Sequence, residues 1–244
     1  MEITVWFSCG AASAVAAKKT IELYPDARVR VVNSPIAEEH EDNQRFLKDV
    51  EAWLGLPIEV AVNSKFPNQS CVEVWDKRSF MSGPLGAPCT VELKKKARQE
   101  WEASNPSDYM VLGFTFEEKG RAERFKLTER ENLLTPLIDL KYDKFMCFEE
   151  IRKAGLKLPE IYKLGYPNAN CIGCVKATSP TYWNHVRLMH PEVFRERAEQ
   201  SSRVGAKLVR VRGERIFLKD LDPADGGESL RSMQFECGLF CEEK

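Results

Sequence analysis

Short apolar runs alternate with helix-period stretches over the first half of the chain, and this alternation constrains the fold more than any other feature. Ile3-Thr4-Val5-Trp6-Phe7, Val29-Arg30-Val31-Val32-Asn33, Ile58-Glu59-Val60-Ala61-Val62 and Tyr109-Met110-Val111-Leu112-Gly113 read as strands. A helix is expected over about Ser13–Leu23. Phe46, Leu47, Val50, Trp53 and Leu54 then mark one face of a second helix, which Gly55 and Pro57 close. Leu93, Ala97 and Trp101 lie on one stripe of a third helix, beginning near Thr90. Strand–helix–strand order predicts parallel strands joined by right-handed crossovers. The expected fold class is therefore α/β, a doubly wound and mostly parallel sheet with helices on both faces. Ligands on such sheets bind beyond the carboxyl ends of the strands.

After about Leu140 the texture changes. A helix carrying Cys147, Ile151 and Ala154 leads into a loop-rich stretch, then a helical segment around Tyr182–Arg187. A hairpin is expected around Gly213, and Leu221–Gly227 has the composition of a flexible linker. Along the chain this gives a nucleotide-binding α/β domain over 1–140, a cysteine-bearing extension over 141–220 and a flexible tail over 221–244.

The 244 residues are 43% hydrophobic and 30% charged, enough apolar material for a core and too much for a disordered chain. With 36 Lys and Arg against 37 Asp and Glu, no global basic field recruits nucleic acid or membrane. No apolar stretch nears the roughly 20 residues of a membrane span. The N-terminus runs straight into a strand with no leader-like segment, so a cytoplasmic protein is expected. Eight cysteines in such a chain point to metal ligands or redox nucleophiles before disulfides.

Five motifs carry chemistry, and each has a plainer reading. Ser8-Cys9-Gly10-Ala11-Ala12-Ser13 follows the first strand and opens a helix. Its small residues let backbone N–H groups close on an anion at the positive end of the helix dipole; otherwise it is a tight packing turn. Cys89 opens a helix ahead of Lys94-Lys95-Lys96, a setting that favours a thiolate. The plainer reading there is a solvated lysine face. Cys171-Ile172-Gly173-Cys174 can grip iron or zinc from a turn, or act as a redox pair. Cys89 would supply a third ligand. Glu236-Cys237-Gly238-Leu239-Phe240-Cys241 places a thiol on a tethered tail, either a mobile nucleophile or a strand docking through its apolar residues. Gly113–Arg124 sets Arg121 and Arg124 at the expected ligand edge, for phosphate or sulfate or for surface ion pairs. Cys71 and Cys147 read as packing thiols. His40, His185 and His190 show no ligand spacing.

Together these residues resemble the phosphoadenylyl-sulfate (PAPS) reductase family of the adenine-nucleotide alpha-hydrolase superfamily. Ser8–Val15 resembles that family's version of the pyrophosphatase loop. Pro136-Leu137-Ile138-Asp139 and Leu158–Tyr166 lead to the C-x-x-C as they do in the family, and Glu236-Cys237-Gly238-Leu239 is similar to its E-C-G-L-H tail. Cys89-Thr90-x-x-Leu93-Lys94 is closer to reductase-like proteins of phages and DNA-phosphorothioation systems. The tandem Cys-Cys of members that reduce adenylyl sulfate is absent, and Phe240 stands where the tail histidine would be.

The resemblance implies an enzyme that reduces PAPS or adenylyl sulfate to sulfite through a Cys237 S-sulfonate, with a thioredoxin-like thiol donor. Ser8, Cys9, Gly10, Ser13, Lys94, Arg121 and Arg124 would hold the nucleotide. Cys89, Cys171 and Cys174 would hold an iron–sulfur cluster of the [4Fe–4S] type, or else zinc. The fourth ligand stays open among Cys241, Cys237 and substrate, and the resemblance leaves room for an oligomer. Superfamily relatives that insert sulfur into tRNA or DNA using ATP give an alternative. For that alternative, residues 171–220 carry ten Lys and Arg against five Asp and Glu. A metal-stabilised binding module without catalysis is the third reading.

Overall fold

The computed structural model describes residues 1–83 and 86–230. In chain order it contains β1 (Glu2–Phe7), α1 (Ala11–Leu23), β2 (Arg28–Asn33), α2 (Asn43–Leu54), β3 (Ile58–Val60) and α3 (Cys71–Arg78). A π-helical segment (Thr90–Lys96) runs into α4 (Ala97–Ser104), followed by β4 (Tyr109–Val111), α5 (Lys119–Thr128), β5 (Leu133–Leu134) and the single turn α6 (Pro136–Asp139). Then come α7 (Lys144–Lys153), the turn α8 (Glu160–Lys163), α9 (Pro180–Met189), α10 (Pro191–Val204), β6 (Val209–Val211) and β7 (Glu214–Ile216). Compactness groups the chain differently from a linear division near residue 140. One unit comprises Met1–Pro35, Glu41–Val62 and Arg98–Glu160; the other comprises Ile36–His40, Asn63–Ala97 and the chain from Ile161 onward. The early pieces of the second unit are thus excursions from the crossovers that follow β2 and β3.

The first unit is the expected α/β sheet. Its five strands are all parallel, in the order β3-β2-β1-β4-β5. β1 lies at the centre, and Ile3, Val5, Trp6 and Phe7 are buried, as a strand covered on both faces requires. The buried side of α1 is built from Ala11, Ala14, Val15, Ala16 and Ala17, small side chains that let the helix lie close to the sheet. The Thr20 hydroxyl, also buried there, donates to the Ala16 carbonyl at 2.7 Å. In α2 the periodic residues Phe46, Val50 and Leu54 are buried, and Gly55 ends the helix at φ 69°. β3 and β4 stop short of Val62 and Gly113, the ends that the apolar runs predict. At the sheet edge Arg30 and Glu59 make two hydrogen bonds of 2.7 Å each, and Trp101 carries the Arg30 guanidinium 4.6 Å from its ring centre.

The second unit is mostly helical. Ser70 caps α3 by accepting the Glu73 amide at 3.3 Å. Pro180 and Pro191 open α9 and α10, where a missing N–H is harmless. The hairpin β6–β7 is antiparallel, with Arg212 at φ 49° and Gly213 at φ 90°, the pair of positive angles a two-residue hairpin turn needs. Residues 221–227, linker-like in composition, are held along α9. The Asn184 side-chain amide donates to the carbonyls of Asp222, Pro223 and Asp225, Arg187 donates to that of Leu221, and Thr181 Oγ1 accepts the Gly227 amide. Among the described residues no helix is long and apolar enough to cross a membrane.

Candidate functional site

The carboxyl ends of β1 and β4 in the first unit form the switch point of the sheet, where the connections turn to opposite sides. The turn after β1 is built for a close approach of backbone. Cys9 takes φ 55°, a left-handed conformation uncommon for a residue with a side chain, and is buried. The Asn33 side-chain amide, at the end of β2, donates to the Phe7 carbonyl at 2.8 Å and to Cys9 Sγ at 3.6 Å, which fixes that conformation. Ser13 Oγ accepts from the Ser8 amide at 3.1 Å and the Ser8 hydroxyl at 3.2 Å, and donates to the Gly10 carbonyl at 2.9 Å. Ser13 therefore staples the turn ahead of α1, whose opening turn carries the positive end of the helix dipole.

Gly113 completes this arrangement. A Cβ there would lie 2.7 Å from the Ser13 nitrogen, 2.8 Å from its Cα and 3.1 Å from the Ala12 carbonyl carbon. Only glycine lets the end of β4 pass so close to the first turn of α1. Beyond it, Glu118 accepts the Thr115 amide and hydroxyl at 3.1 and 3.3 Å and pairs with Arg121 through its other oxygen. The Arg121 guanidinium also lies 5.2 Å from the Phe114 ring centre. An anion binding to Arg121 would share it with Glu118. Arg124 lies on the exposed side of α5.

In the second unit, Cys71, Cys89, Cys171 and Cys174 are all buried and belong to one contiguous core. The Cys71 thiol hydrogen-bonds those of Cys171 and Cys89, and these two neighbours, followed by burial, push it well above the usual thiol range. The C-x-x-C loop turns at Gly173, φ 70°. The Cys174 amide donates to the Tyr182 hydroxyl at 2.8 Å, and that hydroxyl contacts the Cys171 carbonyl at 3.4 Å. Cys71, expected only to pack, therefore stands with the expected ligands. Cys147, in the first unit, does behave as a packing thiol, and burial pushes it up to about 12.

Donor type and number suit zinc or an iron–sulfur centre: four cysteines from three segments, one pair at C-x-x-C spacing. Among the described residues no group of three or more His, Cys, Asp or Glu side chains is already arranged to hold a metal ion.

The lysine run after Cys89 is only in part the solvated face that the sequence alone allows, since Lys95 and Lys96 reach solvent and Lys94 does not. Glu92, Leu93 and Lys94 are consecutive and all buried, because the chain winds there as a π-helix. Lys94 is 5% exposed and sits 3.7 Å from Glu39; Glu92 takes Lys96 and Arg78. The charge of Lys94 is thus already answered by a carboxylate.

The three histidines, without ligand spacing in the sequence, gather around Tyr166. Its ring centre lies 4.7 Å from that of His185 and 5.8 Å from that of His190, and His40 is 6.5 Å from His190. Burial lowers the His190 pKa, helped by His40 and His185. Cys237 and Cys241 lie outside the described residues.

Glu38 and Arg197, which the sequence alone does not single out, complete the surroundings of the thiols. The Glu38 carboxylate accepts the Ser70 hydroxyl at 2.7 Å and the amides of Cys71 and Val72 at 2.8 and 3.2 Å; its carbonyl accepts the Ile172 amide at 2.9 Å. One sequence signal existed for Cys71. Ser70-Cys71-Val72-Glu73 has the form of a helix-opening capping box, which sets Cys71 at the first turn of a helix.

No family model matches the sequence. No curated protein matches it either. Among solved structures, the chain is similar to phosphoadenylyl-sulfate (PAPS) reductase from Candida auris in its phosphate complex, at 11% identity and a TM-score of 0.47, covering 69% of this chain and 80% of that one. It is also similar to the U34-tRNA thiolase NcsA from Methanococcus maripaludis with its [4Fe-4S] cluster, at 11% identity and a TM-score of 0.45, covering 84% of this chain and 70% of that one. Neither likeness assigns a substrate to this chain.

Proposed function

We propose that the chain is a sulfonucleotide reductase-like enzyme that reduces PAPS or adenylyl sulfate to sulfite and an adenosine phosphate at the expense of a thiol. The observation that supports this most is the turn from Ser8 to Ser13 closing on Gly113 at the switch point of the sheet. A turn so placed sets the positive end of the α1 dipole at the carboxyl edge of the sheet, where an anion would be favoured. Arg121 and Arg124 add positive charge for sulfate or phosphate.

In this reading the Cys237 thiolate attacks the sulfuryl sulfur. A new S–S bond forms, the bond from sulfur to the phosphate oxygen breaks, and the nucleotide leaves with that electron pair. A thioredoxin-like dithiol then attacks Cys237 Sγ and releases sulfite. Its second thiol resolves the mixed disulfide, so the donor is oxidised by two electrons and the Cys237 thiol is restored. Positioning and charge neutralisation carry the rest of the rate. Cys89, Cys171 and Cys174 hold an iron–sulfur cluster, which supplies a redox-tunable centre when bound.

The test is sulfite release from PAPS or adenylyl sulfate by anaerobically purified protein with a thiol donor. Sulfite formation that depends on Cys237, abolished in Cys237→Ser, is expected. Its absence from wild type, or its persistence in Cys237→Ser, overturns the proposal.

A second reading, ATP-dependent sulfur insertion into tRNA or DNA, has one observation in its favour. The hairpin β6–β7 and its flanks expose Lys207, Arg210, Arg212, Arg215 and Lys219, a basic surface suited to a phosphate backbone. ATP consumption that depends on tRNA or DNA, with no reaction of PAPS, would establish it instead.

A further inference from the structure

Three packed segments of the second unit converge on the thiols, and Glu38 and Arg197 tie them together. Glu38 fixes Cys71 and the C-x-x-C loop to one another. Its carboxylate takes the Cys71 amide at 2.8 Å and its carbonyl takes the Ile172 amide at 2.9 Å, so one residue sets the first turn of α3 against the loop. On the other side, α10 brings Arg197 onto both. Its guanidinium lies 4.7 Å from the centre of the Trp75 ring, one turn along α3 from Cys71. Its Cγ and Nε would stand 3.3 and 3.6 Å from a Cβ on Gly173.

Arg197 is only 3% exposed. Gln200 accepts from one of its terminal nitrogens at 3.1 Å, its Nε has no partner, and no carboxylate among the described residues pairs with it. The Asp76 carboxylate feels its charge but is taken by Arg203, so the buried guanidinium has no ion pair of its own, and that is costly. A divalent ion or a [4Fe–4S] core ringed by four thiolates carries a net double negative charge, the sign that suits a buried guanidinium without an ion pair of its own.

We propose that Cys71 is the fourth ligand, completing with Cys89, Cys171 and Cys174 a four-thiolate centre whose charge Arg197 balances. The inference rests on the reading of Cys89, Cys171 and Cys174 as metal ligands and adds to it the residue that closes the set. With four protein thiolates no coordination position is left for substrate. Cys237 is then free for the covalent step, and Cys241 has no role as a ligand.

The decisive experiment counts sulfur around a probe metal. The reduced full chain is loaded anaerobically with zinc alone, and X-ray absorption gives the number of sulfur ligands. Wild type and the double variant Cys237→Ser, Cys241→Ser should both show four sulfurs at about 2.3 Å. Cys71→Ser should show three, with one lighter ligand, and Cys147→Ser should remain at four. In parallel, reconstitution with ferrous iron and sulfide should load Cys71→Ser at half or less of the wild-type iron and sulfide content. Because Cys71→Ser could unfold, the double variant tests the assignment independently. A drop to three sulfurs there overturns the assignment while leaving a metal centre in place. Four sulfurs in a folded Cys71→Ser protein overturns it equally. If wild type takes up neither zinc nor iron and sulfide, the reading of the other three cysteines as ligands fails as well.

Discussion

Gly113 is the point where fold and candidate site depend on the same few atoms, and replacing it with alanine gives a sharp test. The added Cβ would sit 2.7 Å from the Ser13 nitrogen and 2.8 Å from Ser13 Cα, about 0.7 Å short of ordinary contact at 3.4 Å. Both are backbone atoms at the start of α1, so no rotamer change relieves the clash. Either α1 or the end of β4 must move by several tenths of an ångström. Overpacking of this kind costs about 1–3 kcal/mol, and the moving part is the turn proposed to hold phosphate. Gly113→Ala is therefore expected to lose about 1–3 kcal/mol in denaturant unfolding and to weaken PAPS or adenylyl sulfate binding by roughly tenfold or more. Gly120→Ala is the matched control. Gly120 lies in α5 and its Cβ would meet nothing within 4 Å, so alanine there should stabilise by about 0.5–1 kcal/mol. Unfolding and binding of Gly113→Ala indistinguishable from wild type would refute the reasoning. So would a Gly120→Ala protein as destabilised as Gly113→Ala.

Further outcomes follow from the same contacts. Glu38→Gln removes a charged acceptor from the first turn of α3, and a loss of about 1.5–3 kcal/mol is expected by urea unfolding. Glu59 is held below the usual carboxylate range by its hydrogen bonds from Arg30, against a smaller opposing effect of burial. Its contribution is present above the unfolded carboxylate value of about 4.3 and is lost as pH falls through its lowered folded value. Acid titration of stability should thus be shallower in Glu59→Gln. Burial, with His40 and His185 nearby, keeps His190 below its ordinary value, so the folded state resists its protonation. Stability should decline as pH drops from about 6.5 through the lowered folded value, and His190→Gln should reduce that decline in thermal melts across the range.

The sheet was legible because β1 to β4 are apolar runs set between periodic helices, a pattern that parallel topology imposes on every strand covered on both faces. Strand ends were less so, since Val62 and Gly113 continue the apolar runs after the hydrogen-bonded ladders have ended. α10 gave little signal because its buried face includes Arg197, Gln200 and Ser201 as well as Ala198, so apolar periodicity is diluted. The lysine run misled for a related reason. A π-helix winds differently from the 3.6-residue period, and Lys94 is buried against Glu39, which lies far away in sequence. In the candidate site, spacing alone exposed Cys171 and Cys174. Cys71 needed the Glu38 clamp, formed across more than thirty residues, to bring it to them.

The most direct measurement is a search for the covalent intermediate. Anaerobic protein is mixed with PAPS or adenylyl sulfate without any thiol donor, quenched, and mapped by mass spectrometry alongside the nucleotide released. The expected result is one sulfonate per chain on the Cys237 peptide, with an equal amount of adenosine phosphate set free, and neither product from Cys237→Ser. Intact nucleotide and unmodified Cys237, in protein that consumes ATP only when tRNA or DNA is present, would contradict the reductase reading outright.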